Sequence, residues 1–140
     1  MATFVLVHGA WQGGWCWARV AALLRREGHD VFTPTLTGLG ERAHLVSDET
    51  DLAMHIEDVL GVITCEELSD IVLCGHSYGG MVVTGVADRA PDHIRSLVYL
   101  DALVPGDGQA ALDVLPADIA AGLRDSAAGG KVAPLSLIHI

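Results

Sequence analysis

Residues 70–89 read DIVLCGHSYGGMVVTGVADR, from Asp70 to Arg89, and this stretch decides the fold. Asp70 to Cys74 is an apolar run rich in strand formers, of the kind buried on both faces of a parallel sheet. Tyr78 to Arg89 carries helix formers and is closed by Pro91. Between them Gly75-His76-Ser77-Tyr78-Gly79 forms a G-x-S-x-G pentapeptide. Strand, sharp turn and helix in that order are the setting that a nucleophile elbow requires. Ser77 must then adopt a strained backbone to project its oxygen. Residues two before and two after it crowd one another, so Gly75 and Gly79 have no room for a Cβ. Gly80 extends the small run, and the helix N-terminus aims free N–H groups at the serine. A plain glycine-rich turn with a surface serine is the competing reading. A phosphate loop fits worse, because the G-K-[ST] ending is missing.

Upstream, Thr3 to Val7 (TFVLV) is another buried strand, ending in His8-Gly9. Trp17, Val20, Ala21 and Leu24 follow at helical spacing, with Glu27-Gly28 as the stop. Val31 to Leu36 predicts a second strand, and Thr37 to Arg42 a glycine-containing loop. Leu52, Ile56, Val59, Leu60 and Ile63 mark one face of a second helix, with Asp51 in its first turn. Downstream, Ile94 to Leu100 predicts a fourth strand. The βαβαβαβ order implies a parallel sheet of about four strands, with right-handed crossovers and helices on both faces.

The 140 residues are enough for one modest domain, and 51% of them are hydrophobic. Eight basic and eighteen acidic residues give a net charge of -10. So acidic a chain repels phosphate backbones and anionic lipid, which argues against nucleic acid and membrane as partners. Cys16, Cys65 and Cys74 are odd in number and form no C-x-x-C pair, which predicts buried free thiols in a reducing compartment. No signal peptide and no membrane span are read in the sequence, so the expected location is cytoplasmic.

In a parallel sheet the chemistry gathers at the C-terminal strand edge. The loop after the first strand, from Gly9, therefore lies near Ser77. A tetrahedral intermediate needs two donors. The backbone N–H of Tyr78 is one candidate and that of Ala10 the other, with Trp11 as the alternative to Ala10. Asp101 directly follows the fourth strand and is a candidate for the acid that orients a histidine; the alternative is a buried aspartate capping the next turn. Gly9, Trp11 and Trp15 are candidate walls of a substrate pocket, whereas Trp17 reads as core. His8 and His76 adjoin functional positions but point the wrong way for a base, so structural hydrogen bonds are expected of them. His29, His44, His55 and His93 are expected to face solvent. No metal-ligand spacing is present, so no metal is expected.

Taken together, FVLVHGAWQGGWCW, GHDVFTPTLTGLGER, DLAMHIEDV, VLCGHSYGGMV and LVYLDALVP resemble bacterial α/β-hydrolases related to plant methyl-ester esterases and hydroxynitrile lyases. The resemblance runs from Thr3 to about Gln109. It implies an α/β-hydrolase fold, here incomplete and C-terminally truncated, with Ser77 as nucleophile and main-chain donors at Ala10 and Tyr78. It implies that the catalytic aspartate and histidine follow later in the chain, in segments without a counterpart here. In the lyase branch a threonine stands where this chain has Gly9, which favours the esterase side. The expected reaction of the parent protein is therefore hydrolysis of an apolar or aryl ester through an acyl-serine, with no cofactor. This fragment itself is expected to be inactive. A C–C lyase on the same fold and a non-catalytic ligand-binding relative are the alternatives.

Three segments are expected. Residues 1–106 form the N-terminal part of the core. Residues 107–134, Ala-rich after a turn cluster, begin a helical cap with one or two short helices. Residues 135–140, LSLIHI, read like the translation of a transposon end used in sequencing adapters, hence a non-native tail; an ordinary apolar terminal strand is the alternative. On either reading His139 is not recruited as a base.

Overall fold

The computed structural model describes residues 1–127. The expected tail at 135–140, and His139 within it, lie outside the described residues. Four strands form one parallel sheet: β1 (Thr3–Val7), β2 (Asp30–Phe32), β3 (Ile71–Ser77) and β4 (Ile94–Ala102), in the order β2-β1-β3-β4. Three helices connect them: α1 (Ala18–Arg26), α2 (Leu52–Cys65) and α3 (Gly79–Arg89). Short 3-10 turns cover Gly14–Trp17, Gly40–Leu45 and Pro91–His93.

Side chains alternate across a strand, and the core divides accordingly. Val5, Val7, Ile71 and Leu73 pack on one face with Val59 and Ile63 of α2 and Val82, Val83 and Val86 of α3. Phe4, Leu6 and Cys74 pack on the other with Trp17, Ala21 and Leu24. The sheet is thus helix-covered on both faces. α2 is capped at its start by Asp51, whose carboxylate accepts from the Met54 N–H at 2.8 Å.

Strand limits differ from the sequence reading in two informative ways. β2 stops at Phe32 and does not reach Leu36. Pro34 has no N–H for a ladder, and the N–H of Leu36 goes to His8 Nε2 at 3.0 Å. β3 and β4 run further than expected, because Gly75, His76 and Ser77 still pair with β4. Of the three unpaired cysteines only Cys74 is buried; Cys16 is half-buried and Cys65 is exposed on the last residue of α2. Cys65 therefore departs from the expected buried thiol: it lies off the stripe that carries Val59 and Ile63.

The chain divides into two compact units, Met1–Val104 and the segment from Pro105 onward. In the second, the described residues form α4 (Ala111–Val114) and α5 (Ala117–Ser126), in which Ala120 is buried. No helix among the described residues is long and apolar enough to cross a membrane.

Candidate active site

β3 leads into the pentapeptide without a loop. Ser77 is its last residue and α3 begins at Gly79, so Tyr78 alone separates strand from helix. Ser77 has φ 53°. That left-handed conformation costs a non-glycine residue about 1–3 kcal/mol and persists only where the surroundings impose it. The surroundings are close. A Cβ on Gly75 would lie 2.5 Å from the Gly79 carbonyl oxygen, and one on Gly79 would lie 2.7 Å from that of Val7. A Cβ on Gly80 would overlap the carbonyl of Leu103. The bend is tied to the end of β4 by the Leu103 N–H, which donates to the Ser77 carbonyl at 3.0 Å.

The loop after β1 meets this bend. A Cβ on Gly9 would sit 3.0 Å from Ser77 Cβ and 3.3 Å from His76 Nδ1. Gly9 and Ser77 thus stand side by side at the C-terminal edge of the sheet, and Ser77 is half-exposed. Ala10 follows, half-buried, and Trp11 is exposed with φ 59°. The side chain of Gln12 folds back to accept from the Gly9 N–H at 3.2 Å.

His8 is fully buried. Its Nε2 accepts from Leu36 N–H at 3.0 Å, so Nδ1 carries the proton and donates to the Gly9 carbonyl at 2.7 Å. Burial lowers its pKa, outweighing the Gly9 carbonyl, which pulls the other way, and burial thereby keeps the ring neutral. His76 makes an edge contact with Trp17, ring centroids 6.3 Å apart, where a structural hydrogen bond was expected. The reason is its neighbourhood: together with Gln12, Cys16, Trp17, Val20 and Leu100 it lines a mostly apolar groove of about 210 Å³. Gly9, Trp11 and Trp15 are not among the residues of that groove, and Trp15 is exposed. Burial raises the pKa of Cys16 and of Cys74, so both stay protonated thiols.

Asp101 is exposed, with φ 46°. His76 pairs with Leu100 and Ser77 with Ala102, so Asp101 is the extra residue of a β-bulge. It is therefore not a buried aspartate capping the next turn.

The larger correction is His55. It does not face solvent; it is buried. Its Nδ1 lies 2.8 Å from the Tyr78 hydroxyl and its Nε2 lies 2.8 Å from the Thr37 carbonyl. Thr37 in turn donates its N–H and its hydroxyl to the Asp58 carboxylate, at 2.6 and 2.8 Å. The signal was present in the sequence: Leu52, His55, Ile56, Val59 and Ile63 fall on one helical stripe. His29 is also partly buried, accepting from the Ala2 N–H at 3.1 Å, and the exposed His93 reaches the Leu68 carbonyl at 2.7 Å. His44 is exposed.

Against this geometry, the profile of the alpha/beta hydrolase family matches residues 4–137. The carbendazim hydrolyzing esterase of Nocardioides sp. (strain SG-4G) is 62% identical over 116 residues, covering 83% of this chain and 48% of that protein. An extracellular alpha/beta-hydrolase from a Paenibacillus species, described as sharing structural and functional homology with tobacco salicylic acid binding protein 2, superposes with a TM-score of 0.86 at 33% identity. That match covers 93% of this chain and 52% of the other. A polyneuridine aldehyde esterase mutant, with a histidine changed to alanine, superposes with a TM-score of 0.70 at 28% identity, covering 77% and 43%. The chain spans about half the length of these relatives. The sheet order, the bend at Ser77 and the family match agree: this chain belongs to the alpha/beta hydrolase family.

Proposed function

We propose that this chain carries the nucleophile half of a serine carboxylesterase. The observation that supports it most is the strained Ser77, φ 53°, pressed against Gly9 at the C-terminal edge of the sheet. On this reading the bend is a nucleophile elbow. Ser77 attacks an ester carbonyl and the oxyanion rests on the main-chain amides of Ala10 and Tyr78. An acyl-serine forms, and water releases it. The base comes from the half of the protein that the relatives have and this chain lacks. The orienting acid comes from the same half; Asp101, on its bulge between the partners of His76 and Ser77, is the second candidate.

Two of these relatives are esterases by name, and Gly9, where the lyase branch that the sequence resembles has threonine, favours ester hydrolysis over cyanohydrin cleavage. The substrate class is therefore an apolar or aryl ester, and the segment from residue 107 begins a cap. The cysteines, all unpaired, support a reducing, cytoplasmic setting.

A serine-directed fluorophosphonate tests the reading. The full-length protein should label rapidly and hydrolyse aryl esters, and Ser77→Ala should abolish both. The 140-residue chain, without a base, should label slowly or not at all. Hydrolysis that survives Ser77→Ala, or turnover of cyanohydrins without esters, would overturn the proposal.

A further inference from the structure

We infer that His55 is a positioning residue: acting through the Tyr78 side chain, it fixes the main-chain amide beside the nucleophile. The inference rests on Ser77 as nucleophile and the Tyr78 amide as an oxyanion donor.

Hydrogen-bond directions follow from the partners. The Thr37 carbonyl can only accept, so Nε2 of His55 carries the proton and donates to it. In the neutral ring Nδ1 is then an acceptor, and the Tyr78 hydroxyl donates to it. The two rings also meet edge-on, centroids 5.7 Å apart at 79°. The far end of this chain is anchored. Asp58 holds both donors of Thr37, and Arg42 lies 3.8 Å from Asp58 while donating to the Thr35 carbonyl at 2.9 Å.

Such an anchor has a purpose at this bend. Tyr78 has helical dihedrals and no side-chain cap, between the strained Ser77 and two glycines. Glycines give the bend its tightness but no side chain by which to hold it. The tyrosine ring supplies one, and His55 grips its end. The same segment also serves the other wall. Leu36 N–H holds His8, which holds the Gly9 carbonyl. Two imidazoles, of His8 and His55, held by the adjacent residues Leu36 and Thr37, therefore lead to the two candidate donors, Ala10 and Tyr78. The segment after β2 sets the spacing of the pair.

The test is a double-mutant cycle in the full-length protein, following aryl-ester hydrolysis with Ser77→Ala as reference. A donor that matters only in the transition state affects kcat and leaves KM alone. Losing an oxyanion donor outright costs ~100-fold or more, so displacing one should cost roughly 10-fold. Tyr78→Phe and His55→Leu should each lower kcat by about that much, with KM within roughly twofold, and the double variant should be no worse than either single. Thermal melting of each variant separates this from unfolding. If His55→Leu does not fold, the kcat of Tyr78→Phe decides alone. An unchanged kcat for Tyr78→Phe, an effect on KM only, or additive losses would overturn the positioning role while Ser77→Ala stays inactive. Activity remaining in Ser77→Ala would instead remove the functional reading beneath it.

Discussion

Gly9 and Gly75 bear on Ser77 from two sides, and their substitution should separate chemistry from stability. A methyl on Gly9 meets Ser77 Cβ at 3.0 Å. On the proposed reading, Gly9→Ala in the full-length protein should therefore slow ester turnover by roughly 10-fold through displacement of the reacting groups, with little change in the urea midpoint. A methyl on Gly75 meets backbone at 2.5 Å, which cannot yield without moving α3. Gly75→Ala should cost about 1–3 kcal/mol, measured by urea unfolding. Tyr78 offers a pH test. Burial, with a smaller contribution from Asp51, pushes its pKa up to about 12. An unfolded tyrosine ionises near 10, so above that pH the unfolded chain sheds a proton the folded one keeps. The associated stability is complete below about pH 10 and is lost as pH rises towards 12. Urea midpoints between pH 8 and 12 should fall less steeply in Tyr78→Phe.

At the scale of elements, α2 does two jobs. Its apolar stripe builds one core layer, and His55 on that same stripe reaches Tyr78 beside the bend at Ser77. Its start depends on Asp51, so Asp51→Ala should cost about 1 kcal/mol by urea unfolding. The strands show where sequence pattern is sufficient and where it stops. TFVLV and DIVLC are continuous apolar runs that fit a doubly covered strand and nothing else of that length. VFTPTL is only half apolar but also reads as a strand, and only its first residues pair. What removes Thr33 to Leu36 from the ladder is a proline and a histidine 28 positions earlier, and only the first of these is local.

For the whole molecule, β4 is, with β2, one of the two edge strands of the sheet among the described residues. It presents Val98, Leu100 and, just beyond it, Val104, all more than a third exposed. An apolar edge strand invites pairing with another chain, and a net charge of -10 opposes it only weakly at physiological salt. The 140-residue chain should self-associate in sedimentation experiments, and Val98→Lys should shift it towards monomer. By itself the sequence determined the parallel α/β layout and the bend at Ser77. Both follow from local rules: the period of apolar residues along each element and the steric demand for glycine in a tight turn. Only the tertiary structure decided that His55 faces Tyr78 rather than water, and that Leu36 and Thr37 serve both sides of the candidate oxyanion site. Those contacts join residues 18 to 28 positions apart, and no local pattern encodes which polar groups a folded chain brings face to face.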